Sequence, residues 1–286
     1  MTRPLAVFDI DGTLVDSRAS IHRAACEAAR DIGLPEPAYD RVRQIVGLSL
    51  EHAMAVLEPG LDAPTLARFI AGFRASFNRM YAEGHEEPLY PEAMATLRRL
   101  HRDGWRLALA TGQNRRGVAR NLAREGWADL FISSHCAEDG PGKPDPAMLH
   151  AAMAACDSDP ARTVMIGDTA HDIRMAINAG VLPLGVAWGF HTVEEQLAAG
   201  AVLGAVGRDE QVGPALAGEV AGDAATVLAG GEGETPAVAA WPATWPARAG
   251  PTCSSRPTAP RTVPASPTPP CSTPPWRPAT ATPRAR

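Results

Sequence analysis

Asp9 and Asp11 stand two residues apart at the end of the apolar run Leu5 to Ile10, inside the segment Phe-Asp-Ile-Asp-Gly-Thr-Leu-Val-Asp-Ser. In an extended strand, residues i and i+2 share a face, and Gly12 permits a sharp turn that brings backbone amides toward them. Two neighbouring carboxylates repel each other. The pair is stable where a cation lies between them or one keeps its proton, as a magnesium site or an acid/base pair requires. A lone Asp-x-Asp is often only a solvated turn; the full segment following an apolar run is far more specific.

Lys143 is the only lysine of a chain whose lysines and arginines total 27. A position that takes the compact ammonium where arginine is used everywhere else suggests a need for a point charge rather than a planar fork. A GC-rich gene retaining one lysine by chance would look the same. Lys143 lies in Gly-Lys-Pro-Asp-Pro, a loop before a helix starting near Pro146, where it can pair with a phosphate and with a nucleophilic carboxylate.

Two further pieces fall at the ends of apolar runs. Thr111-Gly112 follows Leu107 to Ala110 and offers a hydroxyl and free amides near a helix start, which suits a phosphate oxygen or, equally, an ordinary helix cap. Gly167-Asp168-Thr169 ends the run Val164 to Ile166, with Asp172 one helical turn further on the same face. Asp168 would complete a metal site with Asp9.

Short apolar runs at Leu5 to Ile10, Trp105 to Ala110, Leu130 to Ser133, Thr163 to Ile166 and Leu182 to Ala187 read as buried parallel strands. Helical patterns lie between them at Glu92 to Asp103, Arg115 to Glu125, Ala147 to Cys156 and His171 to Ala179, with Gly104, Gly126 and Gly180 at or just past their ends. This alternation predicts a doubly wound, Rossmann-like α/β core of residues 1–16 and 89–205, with its site at the carboxyl ends of the strands. Residues 17–88 break the rhythm. They offer three helical stretches, Ala19 to Ile32, Tyr39 to Leu57 and Pro64 to Gly84, and read as an inserted helical cap hinged beside the first motif or as a merely stabilising subdomain.

Composition bounds the rest. A chain of 286 residues that is 45% hydrophobic supports a sizeable core. Residues 235–286 hold 14 prolines and six arginines and no acidic residue, and are expected to be a disordered tail, with 206–234 an uncertain transition. Residues 1–234 carry 21 basic against 32 acidic groups. That acidity argues against a nucleic acid partner. Cys26, Cys136, Cys156, Cys253 and Cys271 are widely spaced, without a Cys-x-x-Cys pair, and read as reduced thiols. With neither a signal segment nor an apolar run of about 18 residues, a cytoplasmic protein away from membranes is expected. Nothing in the pattern sets an oligomeric state.

Taken in this order, the four pieces resemble the haloacid dehalogenase superfamily, in its phosphatase branch with a helical cap after the first motif. The resemblance spans about residues 4–205. It is nearest to the phosphoglycolate phosphatase-like group through Asp-Gly-Thr-Leu-Val-Asp-Ser, Val46-Gly47-Leu48 and Gly185-Val186-Ala187-Trp188-Gly189. It implies a magnesium-dependent phosphomonoester hydrolase of a small metabolite, 2-phosphoglycolate being the first guess. In that scheme Asp9 attacks phosphorus and becomes an aspartyl phosphate, and Asp11 protonates the leaving oxygen and then activates water. Thr111 and Gly112 bind the phosphoryl group, and Lys143 neutralises charge on it and on Asp9. Magnesium is held by Asp9, Asp168 and the Asp11 backbone carbonyl, and Asp172 orients Lys143 or a metal-bound water.

The chain departs from that pattern in places. After Thr111 the family commonly has asparagine and lysine, whereas Gly112 and Gln113 stand here; Arg115 and Arg116 either restore positive potential or are solvated. Gly47, His52, Arg43, Arg74 and His85 are candidate substrate contacts in the insertion, each weighed against a structural role. The change of composition after Val206 is read either as a translational frame change or as a genuine basic tail. Two other functions stay open: a sugar-phosphate mutase of the same fold, and a non-catalytic binding protein.

Overall fold

The computed structural model describes residues 3–203. In chain order the elements are β1 (Leu5–Phe8), α1 (Arg18–Asp31), α2 (Tyr39–Arg43), α3 (Leu50–Leu57), α4 (Ala63–Ala82), α5 (Ala93–Arg102), β2 (Arg106–Ala110) and α6 (Arg115–Arg124). There follow β3 (Ser133–His135), α7 (Ala147–Ala155), β4 (Thr163–Gly167), α8 (Ala170–Ala179), β5 (Leu182–Gly185), α9 (Val193–Ala199) and β6 (Val202–Leu203). The expected transition at 206–234 and tail at 235–286 lie outside the described residues.

The six strands form one sheet in the order β3-β2-β1-β4-β5-β6, every neighbouring pair parallel. The apolar runs form strands here because both faces of the sheet are covered. Leu5 and Val7 of β1 pack with Met148 and Leu149 of α7 and Met175 of α8, whereas Ala6 and Phe8 pack on the opposite side with Leu97 and Leu100 of α5 and with Trp127. This is the doubly wound α/β fold expected from the sequence. The chain moves outward from β1 through β2 to β3, then returns to lay β4 on the other side of β1. The carboxyl ends of β1 and β4 therefore flank the point where the winding reverses, the crevice in which such sheets bind ligands.

Helices α1 to α4 hold a separate apolar cluster that includes Ala28, Val42, Met54, Leu57 and Phe69, joined by Phe190 from beyond β5. The chain enters and leaves this insertion at adjacent points: the Asp16 amide donates to the Pro88 carbonyl at 2.8 Å, and Val15 bridges Leu89. At the far side, Arg43 donates to both Glu195 carboxylate oxygens, at 2.7 and 3.1 Å, and Gln44 donates to the same group at 2.6 Å. Glu195 also closes the capping box of α9 with Thr192. Among the described residues no helix is long and apolar enough to cross a membrane.

Beyond shifts of one or two residues at element ends, and the short α9 and β6 that the apolar runs did not mark, two elements differ from the sequence expectation. The stretch Tyr39 to Leu57 is two helices, broken at 44–49, because Gly47 takes a left-handed backbone (φ 91°) that ends helical geometry. The third strand is Ser133–His135 rather than Leu130 to Ser133. Phe131 packs edge-on against Phe8 before the ladder begins, so its hydrophobicity serves the core from a turn.

The Arg43 contact, with Glu195 only partly buried, holds the Glu195 carboxyl at about 2, below its ordinary 4.5. A depressed carboxyl stabilises the fold above its ordinary pKa and loses that contribution as pH falls through the folded value. Glu195→Gln is expected to lower stability at pH 7 by about 1 kcal/mol. Urea unfolding of both proteins should show the difference shrinking as pH falls from about 4.5 toward about 2.

Candidate active site

Asp9 follows β1 directly, and its amide donates to the Ile166 carbonyl of β4, which ties the two strand ends together at 3.0 Å. Asp168 follows β4. Asp172 is the third residue of α8, where its carboxylate accepts from the Thr169 amide and hydroxyl, at 3.1 and 2.7 Å, and so caps the helix. Asp9, Asp168 and Asp172 each offer a carboxylate oxygen, all within 4.8 Å of one another, and all three are buried. The Lys143 ammonium enters between them, 2.9 Å from Asp9 Oδ1 and 2.6 Å from Asp172 Oδ1, and is itself fully buried. Asp168 Oδ1 accepts from the Thr13 hydroxyl at 2.9 Å and Oδ2 from the Phe190 amide at 2.7 Å. Asp9 Oδ2 is buried with no hydrogen-bond partner.

Three carboxyl groups face one ammonium, so with all of them ionised the buried cluster would carry more negative than positive charge. Burial pushes the Asp9 carboxyl up to about 7; the Lys143 charge opposes this and the charges of Asp172 and Asp11 add to it. Burial likewise lifts Asp168 well above the usual carboxylate range, with Asp172 and Asp9 contributing. For Lys143 burial favours the neutral amine, but the carboxylates of Asp172 and Asp9 outweigh it and keep the ammonium charged. An unpartnered carboxylate oxygen beside two more carboxylates fits a hard cation with oxygen ligands.

Glycines let the backbone come this close. A Cβ at Gly12 (φ 85°) would lie 2.3 Å from Asp168 Oδ2, one at Gly189 would lie 2.2 Å from the Asp168 side chain, and one at Gly167 would lie 2.4 Å from Asp172. Gly12 and Gly189 thus leave room for Asp168, and Gly167 leaves room for Asp172.

A cavity of about 320 Å³ opens over Asp9 and Asp11, with Thr111, Gly112 and Gln113 in its lining. Asp11 Oδ2 accepts from Gln113 Nε2 at 2.8 Å, and Gln113 Oε1 accepts from Asn121 at 3.0 Å, which fixes the orientation of the amide. Burial raises the Asp11 carboxyl, an effect the Gln113 bond offsets in part. Thr111 follows β2 and is buried. A Cβ at Gly112 would meet the Leu48 carbonyl at 2.6 Å, so the loop that breaks α2 from α3 occupies the space of any larger residue there.

The sequence candidates Asp9, Asp168, Asp172 and Lys143 therefore form one cluster, with Asp11, Thr111 and Gly112 in the cavity over it. Of the candidates in the insertion, Gly47 and Arg74 line the cavity. Arg43 instead binds Glu195 and the Phe190 carbonyl, His85 bonds Ser20, and His52 is exposed. Arg116 lines the cavity whereas Arg115 pairs with Asp139. Sequence reasoning missed Thr13 and the Phe190 amide, which orient Asp168, and Asn121, which orients Gln113. The Thr in Asp-Gly-Thr was a signal for the first; no sequence signal marks a backbone amide or a partner eight residues along a helix.

The sequence pattern of the haloacid dehalogenase-like hydrolases matches residues 4–180. The chain is 32% identical over 201 residues to the probable phosphatase IndB of Dickeya dadantii, spanning 69% of this chain and 86% of that protein. It is 34% identical over 193 residues to the phosphoglycolate phosphatase of Vibrio vulnificus, spanning 65% and 85%. In fold it resembles the solved structure of a haloacid dehalogenase-like family hydrolase from Streptococcus pneumoniae, with a TM-score of 0.61 and 24% identity over 70% of this chain and 92% of the other.

Removing the ammonium should leave two buried carboxylates without their cation. Lys143→Met, which keeps the volume, is expected to cost about 3–5 kcal/mol in urea unfolding with a metal chelator present. A change below about 1 kcal/mol would mean that the carboxyls are already neutral in the folded protein.

Proposed function

The chain is a phosphatase of the haloacid dehalogenase-like hydrolase family, and on that premise we propose that it hydrolyses small phosphate monoesters with magnesium, through a phosphoryl group carried on Asp9. The observation that carries this reading is the buried cluster at the β1 and β4 ends, which combines an unpartnered Asp9 oxygen, a paired lysine and a second aspartate, Asp11, in the cavity above.

Asp9 forms a bond to phosphorus as the bond to the ester oxygen breaks. Asp11, whose raised pKa favours the protonated form, gives its proton to the departing alkoxide. Water then attacks the phosphoryl group on Asp9 and passes a proton to the Asp11 carboxylate; the Asp9–phosphorus bond breaks and inorganic phosphate leaves. Thr111 and the amide of Gly112 receive the phosphoryl oxygens, and Lys143 offsets their charge. Little covalent chemistry is asked of the protein beyond this, because phosphoryl transfer depends mainly on positioning and charge neutralisation.

Asp9, Asp168 and the Asp11 carbonyl would hold the magnesium, with Asp172 orienting Lys143 at its side. Bound there, the ion neutralises charge on the transferring group and on the surplus carboxylate. Residues 17–88 act as a cap over a core of 1–16 and 89–205, the paired crossings at Asp16 and Leu89 forming the hinge. The buried free thiols of Cys26, Cys136 and Cys156 agree with a cytoplasmic setting, and the acidic surface with a small metabolite rather than nucleic acid.

Phosphate release from 2-phosphoglycolate, sugar phosphates and nucleotides, with magnesium and with chelator, tests the reading. Turnover is expected only with magnesium. Asp9→Asn should lower kcat about a thousandfold or more, and Asp11→Asn by about 10²- to 10⁴-fold. Isomerisation of a sugar phosphate without phosphate release would mark a mutase instead, and turnover indifferent to Asp9 would overturn the mechanism.

A further inference from the structure

The cavity over Asp9 has walls of two kinds. Its floor is the polar set already described; its opposite wall, supplied by the insertion, is apolar and partly aromatic, with Ile45, Leu50, Met54, Phe73 and Phe77 among its residues. Phe73, Phe77 and Tyr81 repeat at four-residue spacing along α4 and form a ladder, with ring centroids 5.1 and 5.9 Å apart. Together with Leu50 they are only partly buried, although the cluster at their backs is closed. Large apolar side chains left partly open on a cavity wall mark a surface that a ligand covers. At the foot of the ladder the Arg120 guanidinium lies 3.5 Å over the Tyr81 ring, and its buried Nε has no hydrogen-bond partner. Tyr81 is held in place by its hydroxyl, which donates to Glu87 at 2.9 Å.

Charge in the cavity is nearly balanced, so apolar area rather than a site for a second anionic group distinguishes its wall. The lining contains four acidic side chains, Asp9, Asp11, Glu51 and Glu138, against the three guanidinium groups of Arg74, Arg116 and Arg120. Arg74 is paired with Glu51 at 2.6 Å. Lys143 is held by Asp9 and Asp172, and the Gln113 amide by Asp11.

We propose that the preferred substrates are phosphate monoesters of alcohols with a flat, apolar body, which stacks on Phe73 and Phe77 while its edge meets Arg120, and that Phe77 is a specificity-determining residue. This rests on the phosphatase reading of the site and refines it: a compact phosphocarboxylate such as 2-phosphoglycolate fills the polar floor and leaves the aromatic wall uncovered. Aromatic stacking and apolar burial act on substrate and transition state alike, so the preference falls on KM more than on kcat.

The experiment compares ethyl phosphate, 2-phenylethyl phosphate and 2-phosphoglycolate with magnesium. The first two leave as ordinary alkoxides of similar basicity, so the body rather than the leaving group decides between them. The expected kcat/KM for 2-phenylethyl phosphate exceeds both others by about tenfold or more. Phe77→Ala should erase most of that advantage through KM and leave ethyl phosphate within about twofold. Independently of any variant, benzylphosphonate should inhibit the wild-type enzyme at a concentration about tenfold lower than methylphosphonate. Magnesium-dependent turnover that depends on Asp9 but favours 2-phosphoglycolate, or equal inhibition by the two phosphonates, overturns this inference while the phosphatase reading stands. Turnover of none of the esters overturns that reading itself.

Discussion

Everything at the carboxyl edge of the sheet answers to the crowding of buried carboxyl groups. Asp9, Asp168 and Asp172 lie out of water and within 4.8 Å of one another, with a single ammonium among them. Such an arrangement is tolerable only where each charge has a partner, a proton or a cation, because uncompensated burial of a carboxylate is costly. The partners are all present. Asp172 caps α8, Asp168 takes a hydroxyl and an amide, and Lys143 bridges Asp9 and Asp172. What is left over is one oxygen of Asp9, the atom that a cation or an electrophile would meet.

The fold supplies this compensation by crowding strand ends. Winding that reverses at β1 and β4 places two aspartates just beyond the carboxyl ends of adjacent strands. Gly12, Gly167 and Gly189 then let three stretches of backbone approach until a single added carbon would strike a carboxylate. The same closeness expels water, which strengthens every charge interaction among the groups that remain.

In the proposed scheme, chemistry and selection occupy different parts of the chain. The carboxylate cluster lies at the strand ends of the sheet, where the Phe190 and Thr169 amides bond Asp168 and Asp172. The aromatic wall belongs to α4 in the insertion, reached through two adjacent crossings at Asp16 and Leu89 and held on the far side by the Arg43 and Gln44 contacts to Glu195. A wall carried by the insertion can change with little disturbance to the carboxylate cluster beneath it.

Much of this was legible in the sequence. Apolar runs of strand length with helical patterns between them could bury themselves only as a doubly wound parallel sheet, and aspartates, a threonine and a glycine directly after those runs had to gather at one edge of it. The lone Lys143 was conspicuous by its chemistry. Periodicity cannot show side chains that meet through tertiary packing. The break at Gly47 that lays the Leu48 carbonyl against Gly112, and the Phe190 amide on Asp168, both depend on segments far apart in the chain. So do the partnership of Arg43 with Glu195 and the side of α4 that faces the cavity. The sequence by itself determined the doubly wound sheet and the chemistry of the groups gathered at its carboxyl edge, because local pattern and residue chemistry are written residue by residue. Only the tertiary structure decided how those groups are charged, what orients them and what wall a substrate meets, because burial and distance arise when remote segments pack together.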